Sequence, residues 1–387
     1  MEALELLELI ALGETSTVQF KRTVESPDKL AAELCAFANS EGGRLLFGVE
    51  NDGTITGVTP DQVRELTSTI ANVAANNIRE PLFPTCEVVK VQNHNVLVVG
   101  VPESQAKPHF DKNGAIWVKN MADKRRVTSR EELRRIFQDA HIFSADEMPV
   151  PRTSLEDLDL EALEAFYLKH YSQKLNETGL PLATLAANLN VARDHHLTLA
   201  GLLFFARQPQ KYRPELITKA VAYPGESATD TATYLDSEDL DGTLPDQLAK
   251  AKAFLRRNLV KPQGEQNINT EGQWEIPEQA LEELLVNMLV HRNYFISAPN
   301  KVFIFSNRVE IHSPGSLPNQ LTVDQIKAGN SICRNPILLT LASKLLPYRG
   351  IGTGIRRALA LHPQTEFFND VAENRFRSVL TRSKTRW

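Results

Sequence analysis

An α+β protein built from several domains is what the sequence predicts, and three observations carry that reading. The chain has 387 residues, more than a single hydrophobic core usually serves. Helical spacing and short apolar runs bounded by Gly, Asn and Asp alternate within residues 1–143 and again within 275–387. Between them, residues 154–274 are rich in helical patterns, and the polar, proline-containing "SADEMPVPRT" at 144–153 reads as a linker.

In chain order, "DKLAAELCAFANSEGG" (28–43) spaces Leu30, Leu34 and Phe37 as a helix that Gly42 and Gly43 stop. "RLLFGVENDGTITGV" (44–58) reads as strand, turn and strand, since Asp52-Gly53 supplies a positive φ between apolar runs. "CEVVKVQNHNVLVVGVP" (86–102) and "AIWVKN" (115–120) are further strands, and "SREELRRIFQDA" (129–140) closes the block as a helix. In the middle, "LDLEALEAFYLKHYSQKL", "HLTLAGLLFFARQP" and "LPDQLAKAKAFLRRNL" are helical and "ITKAVAYPG" is a strand. The last block opens on the helix containing "EELLVNMLVHRNY" (282–294) and continues through "KVFIFSNRVEIHSPGSLP", "NSICRNP" and "YRGIGTGIRRAL" to a final strand, "RFRSVLTRS".

Composition excludes several classes of function. With 42% hydrophobic and 24% charged residues and a formal net charge of -5, global charge points to no partner, so any nucleic-acid surface is a local patch. Cys35, Cys86 and Cys333 are odd in number and widely spaced, which suits thiols in a reducing compartment and no zinc framework. The acidic, amphipathic N-terminus lacks the basic start of a signal peptide, and no apolar run reaches membrane-spanning length. A cytoplasmic protein with no membrane partner is expected.

The sharpest chemical pattern lies in the last block. Glu283, Asn287 and His291 fall at i, i+4 and i+8, so a helix aligns them in one polar stripe. Pro277 precedes that helix without losing a needed N–H. Glu283 can act as a base on a water, and the Asn287 amide oxygen can ligate Mg2+ beside a phosphate chain. Gly315 follows an apolar strand, and Gly350, Gly352 and Gly354 lead into a helix whose N-terminal N–H groups favour anions. Alone, such a stripe is a solvated helix face and such a glycine trio a turn.

Taken in order, "EELLVNMLVHRNY", "VEIHSPGSLP", "SICRNP" and "RGIGTGIRRA", with "LAGLLFFARQPQKY" (199–212) upstream, resemble the C-terminal domain of bacterial RecG-like transcriptional regulators. That domain is a divergent GHKL-type (Bergerat) ATPase module. The resemblance implies a GHKL-like α/β sandwich over 275–387 that binds ATP and Mg2+. Within it, Glu283 stands at the general-base position of an ATPase, Asn287 at the Mg2+ position, and Gly350, Gly352 and Gly354 at the phosphate-loop positions. His291 and Arg292 serve phosphate contact or packing. Ser313 departs from the wider group, which has there an Asp that accepts the adenine amino hydrogen bond. The chain also stops soon after its last strand, leaving no room for the winged helix of many relatives.

In the first block, "GETSTVQFKRTVE" and "AFANSEGGRLLFGVENDGTITGV", followed by "AKPHF", "IWVKN" and "SREELRRIF", resemble the Schlafen AlbA_2 domain, a nucleic-acid-binding module. A basic cluster fits that implication: Lys119, Lys124, Arg125, Arg126, Arg130, Arg134 and Arg135, with Lys21 and Arg22 nearer the start. Such cations contact phosphates and position a strand or duplex without reading its bases; in isolation, a run like this is a solvated helix end. Some Schlafen proteins are RNases with three metal-binding carboxylates. The matching positions here are Glu14, Gln19 and Glu50, with Asp52 nearby, so the second acid is an amide and a weaker metal ligand.

Three readings follow. The first is a nucleic-acid-binding regulator, with DNA favoured over RNA, whose ATP/Mg2+ site controls assembly or binding and which forms homo-oligomers as the resembled families do. The second is a metal-dependent nuclease effector in phage defence, working through Glu14 and Glu50. The third is an adaptor with an inactive nucleotide fold.

Overall fold

The computed structural model describes residues 1–91, 93–104, 106–140, 142–228, 233–261, 274–318, 321–350 and 352–382, except the side chains at 131, 135, 138 and 139. The chain forms two compact units, Met1–Ile142 and Phe143–Trp387.

The first unit runs α1 (Ala3–Leu12), β1 (Val18–Lys21), α2 (Pro27–Asn39), β2 (Gly43–Phe47), α3 (Pro60–Asn76), β3 (Ile78–Arg79), β4 (Thr85–Val91), β5 (His94–Val101), β6 (Phe110–Asp111), β7 (Trp117–Asn120), β8 (Asp123–Arg126) and α4 (Arg130–Asp139). Its main sheet has the order β1-β2-β5-β4, with β1 parallel to β2 and the other pairs antiparallel. The apolar runs in β2 and β5 mark strands covered on both faces. Leu45, Phe47, Leu97 and Val99 face the core under α2 and α3, while Leu46, Val96 and Val98 face the one under α1, as a two-residue period requires.

The α2 helix starts at Pro27, with the Ser26 hydroxyl accepting from Lys29 N at 3.2 Å, and every residue from Leu30 to Asn39 is buried. It stops before Gly42, whose φ is +74° and where a Cβ would lie 2.6 Å from Glu103 N and 2.8 Å from Val101 O. The second arm expected after Asp52-Gly53 shrinks to one bridge, Val49 with Ile55. The reason is local: Thr56 and Gly57 both donate to the Gly48 carbonyl, which folds the chain back before a ladder can extend.

The second unit contains α5 (Leu160–Tyr171), α6 (Leu182–Asn188), β9 (Ala192–Arg193), β10 (His196–Leu197), α7 (Leu199–Phe205), β11 (Thr218–Ala222), β12 (Asp236–Leu240), α8 (Leu244–Asn258), α9 (Glu278–His291), β13 (Asn300–Ile304), β14 (Arg308–Pro314), α10 (Val323–Lys327), α11 (Pro336–Leu345), α12 (Gly354–Leu361), β15 (Glu366–Asp370) and β16 (Arg375–Thr381). Six strands form one sheet in the order β12-β11-β13-β14-β16-β15. Strands β11 and β12 come from the middle segment, and β11 lies parallel to β13, so the middle and C-terminal stretches share a sheet and a single core. Helices α8 and α9 pack on that sheet, against β11 and β12 and against β14 respectively, giving an α+β architecture.

The stretch 144–153 is not a linker. Ala145 and Val150 belong to the core of the second unit. Asp146 is fully buried and accepts from Ile337 N at 2.7 Å and Leu338 N at 2.9 Å, capping α11, whose own Asn335 side chain makes no cap bond. The polar residues that suggested a solvated spacer are instead used for turns and capping. Among the described residues, no helix is long and apolar enough to cross a membrane.

Candidate functional site

Helix α9 buries Leu281, Leu284, Leu285, Met288 and Leu289 in the core. Glu283, Asn287 and His291 all line one cavity, which opens to solvent at its mouth. Ile311, Ser313, Phe367, Phe376 and Ser378 of the sheet line it as well, together with Gly315, Gly350, Gly352 and Gly354.

Glu283 is buried at the N-terminus of α12. Its Oε2 accepts from Arg357 Nη2 at 2.6 Å, while Oε1 is buried with no hydrogen-bond partner. Asn287 Nδ2, one turn further along α9, is buried and unpartnered too. Both groups abut Gly354: a Cβ there would stand 2.2 Å from Glu283 Oε1 and 3.0 Å from Asn287 Nδ2. Gly350 and Gly352 have φ values of +68° and +71°, and the backbone of Gly329 comes so near that a Cβ on Gly352 would lie 2.8 Å from its carbonyl.

His291 contacts the Tyr348 hydroxyl through Nε2 at 2.7 Å, and burial lowers its pKa to about 4. It is therefore neutral at physiological pH and brings no charge to the cavity. Arg292 is buried away from the stripe, donating to Ile296 O at 3.1 Å and Ala298 O at 2.6 Å, so it packs the turn after α9. The cations that line the cavity are Arg334, Arg349 and Arg357. Among the described residues, no group of three or more His, Cys, Asp or Glu could hold a metal.

In the first unit the structure draws together Glu14, Gln19, Glu33, Lys119 and Lys124. Glu14 Oε1 accepts from Gln19 Nε2 at 2.5 Å and from Phe20 N at 2.8 Å. Lys119 Nζ donates to Gln19 Oε1 at 2.8 Å, Glu33 Oε1 at 3.0 Å and the Ala122 carbonyl at 3.0 Å, and Lys124 Nζ reaches Glu33 Oε2 at 2.5 Å. The Lys119 and Glu33 side chains are 2% and 3% exposed. Lys119 thus corrects the sequence reading: it neutralises a buried carboxylate and is not open to phosphate, and Lys124 is committed to the same acid. Glu50 lies instead at the start of the turn after β2, 3.6 Å from Arg22, where it is half-buried and Arg22 is exposed.

The cations left at the surface are fewer than the sequence suggested. Arg125 forms a two-pronged pair with Glu132. Arg22, Arg126 and Arg130 are exposed and Lys21 is half-buried. Arg134 is half-buried, and the Arg135 side chain lies outside the described residues. Sequence reasoning missed Glu33, Arg357 and Asp146. A glutamate at 33, flanked by Ala32 and Leu34 in a helix this apolar, is the signal that could have shown the first.

Residues 14–128 match the Schlafen, AlbA_2 family model, and residues 298–377 match the family described as Putative ATP-dependent DNA helicase recG C-terminal. A domain of unknown function matches residues 134–215. The first unit therefore carries a Schlafen AlbA_2 domain and the second a recG-type C-terminal domain. Among solved structures, the chain is similar to the DIP2311 protein from Corynebacterium diphtheriae, at 21% identity, 98% coverage of this chain, 80% of that one and a TM-score of 0.47. It is also similar to the N-terminal domain of a Putative ATP-dependent DNA Helicase RecG-related Protein from Nitrosomonas europaea, at 26% identity, 34% coverage of this chain, 96% of that one and a TM-score of 0.25. No curated protein matches the chain.

Proposed function

We propose that the chain is a nucleic-acid-binding regulatory protein, with DNA as the favoured partner, whose second unit binds ATP with Mg2+ and uses that binding to control nucleic-acid affinity or assembly. One observation carries the nucleotide site: Glu283 Oε1 and Asn287 Nδ2 are buried without partners at the glycine-lined end of the cavity. Unsatisfied buried polar atoms cost about 1–3 kcal/mol each, a cost that a ligand with matching groups would relieve. Three cavity arginines supply positive charge for a polyphosphate. The Asn287 amide oxygen holds Mg2+ on the phosphates, and Glu283 orients or activates a water once Arg357 turns to the ligand.

The matched AlbA_2 domain and the exposed Arg22, Arg126 and Arg130 support phosphate contact by the first unit. Gln19 in the acid cluster and the Lys119 ammonium among its oxygens support a binding role over cleavage. Titrating a labelled DNA duplex at several salt concentrations, with and without a non-hydrolysable Mg·ATP analogue, tests this function. Salt-sensitive binding that the nucleotide shifts is expected, and coupling requires unequal nucleotide affinity for the free and bound states. Duplex and RNA binding both absent, or unchanged by nucleotide, would contradict it.

A further inference from the structure

The cavity of the second unit has two chemically different ends. One gathers Glu283, Asn287, Arg357 and the glycines at 352 and 354. The other lies over the sheet, where strand registers bring a specific patch together. Ser378 stands between Ile311 of β14 and Phe367 of β15, and Ser313 stands opposite Phe376. The rings of Phe367 and Phe376 are stacked, 6.1 Å apart at 16°. Ser313 and Ser378 are 8% and 4% exposed, and both line the cavity. Among the described lining residues the sole carboxylate is Glu283, held by Arg357 at the opposite end.

An apolar floor with two recessed hydroxyls fits a flat heteroaromatic ring whose edge needs hydrogen bonds but no counter-charge. The 6-position of a purine carries a donor in adenine and an acceptor in guanine. A carboxylate accepts only and would select the amino form, whereas a hydroxyl rotates to donate or accept. Strong rejection of a near-isosteric ligand requires a buried group that the wrong ligand leaves unpaired, and an adaptable hydroxyl is not left so.

We infer that this site binds purine nucleoside triphosphates as a class, taking the 6-oxo and 6-amino bases with similar affinity through Ser313 and Ser378. The inference rests on the nucleotide reading above and specifies the ligand of that same site. It is tested by calorimetric titration of the full chain with the Mg2+ complexes of the β,γ-imido analogues of ATP and GTP, in the wild type and in Ser313→Asp. Wild-type dissociation constants within tenfold of each other are expected, with Ser313→Asp moving the ratio at least tenfold toward ATP. A wild-type GTP analogue more than tenfold weaker than its ATP counterpart overturns the inference while the nucleotide site stands. Binding of neither analogue overturns the nucleotide reading and this inference with it. The wild-type comparison decides even where Ser313→Asp does not fold.

Discussion

Glu283 and Gly354 meet at a distance that admits no side chain: a Cβ on residue 354 would lie 2.2 Å from Glu283 Oε1. The contact joins α9 to the first turn of α12. Its other oxygen is tied to Arg357, three residues along α12. Both of these contacts of Glu283 thus belong to α12, whose first turn lines the cavity.

Gly354→Ala therefore tests these contacts directly. The added methyl must displace the Glu283 carboxylate, at an overpacking cost of about 1–3 kcal/mol. Nucleotide binding should fall at least tenfold while the far-ultraviolet circular dichroism spectrum is retained. Wild-type affinity in a folded Gly354→Ala protein would show that Glu283 and Gly354 do not shape the site.

Breaking the buried pair in the first unit should be felt as stability, not as nucleic-acid affinity. Lys119→Met removes one of the two cations paired with Glu33, a carboxylate that is 3% exposed, and leaves Lys124 as its partner. The expected loss is about 1–3 kcal/mol. Hydrogen exchange across β2 and β5 measures it. Unchanged protection with weakened DNA binding would return Lys119 to the phosphate-contacting surface.

Exposed cations behave differently. Replacing Arg126 and Arg130 by Glu should weaken DNA binding across all sequences and lower the salt slope by roughly one unit per lost phosphate contact. An unchanged slope would move the interface elsewhere.

Two titratable groups of the second unit oppose each other in acid. Burial lowers His291 to about 4, below its ordinary 6.5, so the unfolded chain binds the proton first and stability falls as pH drops through that window. Burial raises Asp146 from 3.8 to about 6, so the folded chain binds the proton first and stability rises over nearly the same range. Each contributes on the order of 3 kcal/mol, with opposite sign. Denaturant midpoints between pH 7 and 4 should therefore be flatter in the wild type than in either variant. Asp146→Asn should lose stability on acidification and His291→Gln should gain it. Parallel profiles in all three proteins would refute this balance.

What could be read in the sequence was periodic and local. A four-residue spacing sufficed to put Glu283, Asn287 and His291 on one face, and all three line the cavity. Glycine pairs and the apolar runs of β2, β5, β13 and β14 likewise marked where helices stop and strands begin. What escaped depended on partners far along the chain. Lys119 looked like one member of a basic run because its burial is set by Glu33 and Gln19, 86 and 100 residues away. The 144–153 stretch looked solvated because the helix that Asp146 caps starts about 190 residues later. The sheet joining the middle and last segments rests on pairing between β11 and β13, which no local pattern announces.

The most direct test of the nucleotide site is calorimetric titration of Mg·ATP into the wild-type chain and into Asn287→Ala. Saturable binding in the wild type, lost or weakened at least tenfold in the variant, is the predicted result, because in the proposed function the amide holds the metal on the phosphates. Equal binding in both proteins, or none in the wild type, would contradict the account and leave the second unit without the role proposed for it.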